Sequence, residues 1–277
     1  MFSSITFDLQ LLVPLLLGHS IGDFLLQSDK MVANKNRFGT LLLHILLVMV
    51  ATGLALLVAG YAPIPTIRLT VAIGLSHGLI DLLKIKVLSA RLSPPNSFWL
   101  DQGLHLLVIL FLCSDLAIAR MIQPADFPHL TPEMLAWHVE LLGRARVLTI
   151  ALGALLAIKA GSHVVALHVT HFLDQIEEQE RQDSTLVKKG KARGLQGAGK
   201  AIGMLERTLI FLLVLAGHPA SVSFLIAAKS IFRFGELKDS ENRQEAEYIT
   251  IGTLASFAWA LAIAILTQWL LTKLVLA

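Results

Sequence analysis

The chain has one cysteine and two tyrosines in 277 residues, and only 16% of its residues are charged. With Cys113 alone inside an apolar run, neither a disulfide framework nor a cysteine-ligated metal site can form within the chain, and the thiol reads as a buried filler. No P-loop, dinucleotide fingerprint or His-Glu-x-x-His motif is present. The one glycine-rich stretch, GLQGAGKAIG at 194–203, follows a polar connector instead of a strand and lacks Ser or Thr after Lys200, so it reads as a hinge. The N-terminal region has no basic start, and its apolar run carries His19 and Asp23 where a cleavage site would need small residues. The first apolar segment is therefore expected to remain as a span. The pI near 9.1 does not imply nucleic acid, because the basic residues sit in short loops between apolar runs, where membrane topology accounts for them.

What is abundant is apolar sequence: 55% hydrophobic residues and a mean hydropathy of +0.69, beyond the range of a soluble domain. At about 20 residues per crossing, the sequence predicts an all-α polytopic bundle with eight spans, at 9–27, 38–60, 66–86, 98–119, 146–170, 197–217, 219–235 and 247–272. The seventh is short enough to be re-entrant. Prolines 124, 128 and 132 mark a loop, and the charged stretch 174–196 reads as a connector. These breaks suggest a four-span unit over 1–120, a loop, fifth span and connector over 121–196, and a three-span unit over 197–277. Odd-numbered loops hold fifteen Lys and Arg, Lys30, Lys35, Lys84 and Lys86 among them, against five in the even loops and the C-terminal tail. The positive-inside rule then places both termini outside, in the periplasm of a bacterial inner membrane.

Four stretches place ionisable groups inside these runs: GHSIGDFLLQ with His19, Asp23 and Gln27, LLLHILL with His44, LSHGLIDLLK with His77 and Asp81, and WLDQGLHLL with Asp101, Gln102 and His105. Charge at bilayer depth costs several kcal/mol unless it is paired, hydrated or bound to an ion. His19 and Asp23, His77 and Asp81, and Asp101 and His105 are each four apart, on one helix face. Under the expected topology, Asp23 and His19 lie roughly 7 and 13 Å from the inner end of the first span, and all seven His and Asp fall in the same inner layer. His19-x-x-x-Asp23 with His44 on the returning helix is echoed by His77-x-x-x-Asp81 with His105, which suggests two similar hairpins packed about an axis along the membrane normal.

Imidazole and carboxylate at this spacing point to a divalent metal, zinc first with manganese or iron next, held by His19, Asp23, His44, His77, Asp81, Asp101 and His105. Seven ligands exceed one tetrahedral ion, so either two ions bind or some groups orient the others. Gln27 and Gln102 extend the same faces as orienting groups. Metal-activated water, with Asp81 or Asp101 as base, would make a hydrolase. The same groups could instead relay protons or pass an ion in a transporter, or form a structural or sensory network. His163, His168 and His171 lie on the fifth span, and His168 and His171, near its inner end, could join the site. In the back unit Lys229 and Arg233, one turn apart, could clamp an anionic lipid head group, or Glu206 and Glu247 could neutralise them. The expected partners are membrane lipids and a lipid-linked substrate; oligomeric state is not legible.

At GHSIGDFLLQSD, LLLH, HGLIDLLK and DQGLH, then LER, IAAKSIFRF and AEYITIGTLAS, the chain resembles a bacterial membrane family catalogued as domain of unknown function 3307, over residues 15–110 and 199–256. The resemblance implies a polytopic helical membrane protein and no settled activity. The His and Asp pattern is also loosely similar to bacterial membrane-bound proteins labelled metal-dependent hydrolases.

Overall fold

A computed structural model of the chain describes residues 8–114, 132–182, 197–234 and 243–276. The fold is all-α, with no strand among the described residues. The helices are α1 Leu9–Ile21, α2 Asp29–Ala33, α3 Phe38–Val58, α4 Pro63–Leu83, α5 Ser89–Arg91, α6 Pro94–Leu112, α7 Pro132–Leu155, α8 Gly161–Gln182, α9 Ala198–Leu215, α10 Val222–Phe234 and α11 Arg243–Leu276. Three wider π-helical turns, Gly22–Leu26, Lys84–Leu88 and Leu156–Ala160, continue α1, α4 and α7. Four segments, Leu9–Leu26, Phe38–Val58, Gly143–Thr170 and Glu247–Leu274, are long and apolar enough to cross a membrane. The chain forms two compact units, Met1–Leu155 with Trp269–Ala277, and Leu156–Gln268. The sequence-based divisions at 121 and 197 fall on or beside 115–131 and 183–196, which lie outside the described residues.

In the first unit local chemistry starts each helix. Asp8 caps α1 by accepting from the Gln10 and Leu11 amides at 2.8 and 3.1 Å. Proline occupies the first turn of α4 and of α6, where its missing N–H costs nothing. α1 packs on α3, α3 on α4, α4 on α6, and α6 returns to α1, so the four helices close into a ring. Glycine lets two backbones touch: a β-carbon at Gly18 of α1 would overlap the Thr52 backbone of α3.

Polarity in this unit is inverted. Leu75, Leu79 and Leu107 are each more than 60% exposed, whereas His44, His77, Asp81 and Asp101 are at most 1% exposed. An outward apolar surface of this kind suits hydrocarbon as its solvent. At the end of the bundle that holds the α3–α4 turn, Leu11, Leu15, Val48, Leu56, Leu69, Ile73, Ile109 and Leu112 form a dry core with Cys113, as the lone thiol was expected to do.

The second unit has its own polar tie. Trp259 Nε1 donates to the Leu156 carbonyl at 2.9 Å, and Arg207 donates to the Ile158 carbonyl at 3.3 Å. Those carbonyls belong to the π turn Leu156–Ala160, whose wide ladder frees acceptors for side chains. Arg207 also donates to Ser256 Oγ at 2.8 Å and to Ser162 Oγ.

Candidate functional site: a buried His and Asp cluster

All seven His and Asp singled out in the sequence of the front segment meet inside the ring of α1, α3, α4 and α6. His19 and Asp23 come from α1 and its π turn, His44 from α3, His77 and Asp81 from α4, and Asp101 and His105 from α6. The ring centroids of His77 lie 5.0 Å from His44, 4.3 Å from His105 and 5.5 Å from His19.

The three carboxylates share one arrangement. Asp23 Oδ2 accepts from Gln102 Nε2 at 2.9 Å, Asp81 Oδ1 from Lys35 Nζ at 2.6 Å, and Asp101 Oδ2 from Lys84 Nζ at 2.7 Å. In each case the second oxygen, Asp23 Oδ1, Asp81 Oδ2 or Asp101 Oδ1, is buried and accepts no hydrogen bond. One oxygen of each carboxylate is thus tied and the other is presented, the way outer partners aim carboxylate ligands at a cation. A bare buried carboxylate oxygen is otherwise expensive.

Two of the presented oxygens converge on two imidazoles. His44 Nε2 lies 3.3 Å from Asp23 Oδ1 and 3.5 Å from Asp81 Oδ2. His77 Nε2 lies 3.5 Å from each of the same two oxygens, and the two Nε2 atoms are 2.9 Å apart. A tetrahedral ion with bonds of about 2.0–2.1 Å has ligand-to-ligand edges of about 3.3 Å. Five separations in this two-His, two-Asp set run from 2.9 to 3.5 Å, and Asp23, His44 and His77 are the members grouped with ligand atoms all within 4.8 Å of one another.

The remaining groups sit alongside. His105 Nδ1 donates to the Asp101 carbonyl at 2.8 Å. A carbonyl can only accept, so the proton stays on Nδ1 and buried Nε2 keeps a bare lone pair. Gln102 directs its amide N–H groups to Asp23 and Asp101, which leaves its oxygen to accept from His19 Nε2 at 3.2 Å. Gln102 thus bridges His19, Asp23 and Asp101. Gln27 follows the π turn and makes no hydrogen bond to the cluster.

Lys35 and Lys84 escaped the sequence reading, because loop cations count there as topology. Lys35, in the turn before α3, is only 9% exposed. Removing one partner of a buried pair strands the other charge. Lys35→Met is therefore expected to lower stability by ~3–5 kcal/mol, and Lys35→Met with Asp81→Leu to recover part of that loss. Detergent-resistant thermal unfolding reads both. A Lys35→Met protein as stable as wild type would refute the pairing.

Outside the cluster, Lys229 donates to Glu206 Oε2 at 2.6 Å and lies 5.4 Å from the Phe257 ring centroid. Of the two readings of Lys229, the ion pair is the one formed. The side chains of Arg233 and His171 lie outside the described residues, and His168 Nδ1 donates to the Val164 carbonyl at 2.8 Å. Among the described residues the groups able to hold a metal are His19, His77 and His105; Asp23, His44 and His77; and Asp81, Asp101 and His105.

These features define a class: an all-α protein with membrane-length apolar helices and a buried His and Asp cluster whose donor atoms could hold a metal. Within it, residues 11–127 match the model of a family described as Protein of unknown function (DUF3307). The matched segment contains all seven His and Asp and both lysines that pair with them, and it stops short of 199–256. No curated protein and no solved structure matches the chain.

Proposed function

We propose that the front four helices hold a divalent metal centre at the cytoplasmic side of a bacterial inner-membrane protein. In this reading the chain crosses the bilayer eight times, both termini are periplasmic, and α4, α6 and α9 span despite the polar groups that lower their hydropathy. α10, with 13 residues, covers only about 20 Å of a hydrocarbon core of about 30 Å and serves as the short span of the eight. One observation carries the metal assignment: the buried Asp23 Oδ1 faces His44 Nε2 at 3.3 Å and His77 Nε2 at 3.5 Å, in a group of three ligand atoms within 4.8 Å of one another, with Asp81 Oδ2 3.5 Å from both imidazoles. Two nitrogen and two oxygen donors favour zinc, with manganese or iron as the other choices.

The activity we propose is hydrolysis of a lipid-linked or amphipathic substrate. A divalent ion held by Asp23, His44 and His77 would supply an activated water, whose pKa such ions lower toward 7. Asp81 either joins as a ligand or takes the proton, and Asp101 is the further carboxylate within reach. The dry core above the site, from Leu11 to Leu112, opposes a polar route through the bundle and so disfavours the ion-coupled carrier. Lys229 is paired with Glu206 at 2.6 Å.

Metal analysis of the detergent-purified full chain tests the centre, with one zinc per chain expected. A proteoliposome flux assay run beside a lipid-turnover screen tests the activity. Product formation abolished by Asp81→Asn supports hydrolysis; metal-dependent flux abolished by the same change, with no product, would turn the reading to transport.

A further inference from the structure

The cluster contains a second set of convergent donors beside the Asp23, His44 and His77 group. Asp81, Asp101 and His105 place ligand atoms within 4.8 Å of one another. Two atoms of these residues, Asp101 Oδ1 and His105 Nε2, are buried without a hydrogen-bond partner, Asp101 Oδ1 lies 3.8 Å from His105 Nδ1, and the two residues are only 1% and 3% exposed. The His105 lone pair is fixed in place by the main chain, since Nδ1 is spent on the Asp101 carbonyl at 2.8 Å. By donor chemistry alone this is a second cation site, sharing Asp81 with the first.

Charge decides against filling it with a second ion. The three aspartates carry three negative charges, Lys35 and Lys84 return two positive ones, and imidazoles that ligate metal are neutral. One divalent ion takes the cluster from one negative to one positive charge. A second would leave three positive charges buried in a low-dielectric interior, where repulsion is weakly screened. Lys84 is the cation already at that set: its Nζ sits 2.7 Å from Oδ2 of Asp101, one of the three residues of the second group.

Resting on the metal centre proposed above, we propose that Lys84 is a built-in substitute for a second metal ion, which makes a two-ion ligand set into a one-ion site. Lys84 is a specificity-determining residue that touches no substrate. Its side chain is 29% exposed at the start of the π turn Lys84–Leu88, so it can be changed with less packing disturbance than any aspartate.

Zinc per chain, measured on detergent-purified full-length protein equilibrated in buffered zinc, is the test. Wild type is expected to hold one ion, Lys84→Gln two, Lys84→Arg one, and Lys84→Gln with His105→Ala one again. Two ions in wild type, or one in a Lys84→Gln protein whose gel-filtration profile is native, would overturn the assignment. Should Lys84→Gln fail to fold, Lys84→Met replaces it, and the wild-type count remains decisive against the proposal if it is two. Zero zinc in wild type and every variant would remove the centre itself, a result distinct from a centre that holds one ion regardless of Lys84.

Discussion

His77→Ala protein, purified as the wild type is, should bind zinc at least about 100-fold more weakly. Loss of a partner that merely orients a ligand costs ~10–100-fold in affinity, and His77 does more than orient. Its Nε2 sits 3.5 Å from both Asp23 Oδ1 and Asp81 Oδ2 and 2.9 Å from His44 Nε2, so in the proposed centre it would itself be a ligand. The measurement is competition against a chromophoric chelator, with His218→Ala, an exposed loop position outside the cluster, as the matched control. Equal affinity in wild type and His77→Ala would place any bound metal elsewhere. His19→Ala should lose less, since His19 Nε2 donates to Gln102 and is not grouped with Asp23, His44 and His77.

The second large effect concerns the helix contact beside the site. Gly18→Ala should destabilise the protein by ~3 kcal/mol or more, the upper end of what overpacking costs. The added β-carbon meets backbone, the Thr52 Cα and N, which cannot swing aside as a side-chain tip would. Gly103→Ala is the contrast. Nothing lies within 4 Å of a β-carbon at Gly103, so Ala in the middle of α6 should be neutral or stabilising by up to ~1 kcal/mol. Thermal unfolding in detergent compares the two. Similar midpoints for both variants would mean that α1 and α3 do not approach so closely.

The cluster was legible because ionisable residues are conspicuous in apolar sequence. His19, Asp23, His44, His77, Asp81, Asp101 and His105 stand out by where they occur, and four-residue spacing assigns pairs of them to shared faces. The helical class followed from the same runs. Lys35 and Lys84 were not legible, since a lysine in a short loop has an adequate reading as a topology signal. Their pairing with Asp81 and Asp101 bridges 46 and 17 residues and needs the folded chain to be seen. Lys229 shows the converse case: two cations one turn apart resemble an anion clamp until Glu206, 23 residues away, is placed at 2.6 Å. The π turns were invisible because no residue type marks them; Gly22–Leu26 reads in sequence as the end of an ordinary helix.

That last turn sets a length rule for the chain. Asp23 lies inside the widened turn, and Lys35 is reached only after it, through Ser28, α2 and the turn that precedes α3. Each residue advances an α-helix by about 100°, so deleting one residue between Asp23 and Ser28 would swing the following segment around the axis without changing hydropathy. Lys35 would then point away from Asp81 while every motif stayed intact. Insertions and deletions should therefore be far less tolerated between Asp23 and Lys35 than substitutions at Leu25 and Leu26, which face outward at 53% and 38% exposure. Here the spacing of the chain carries information that its composition does not.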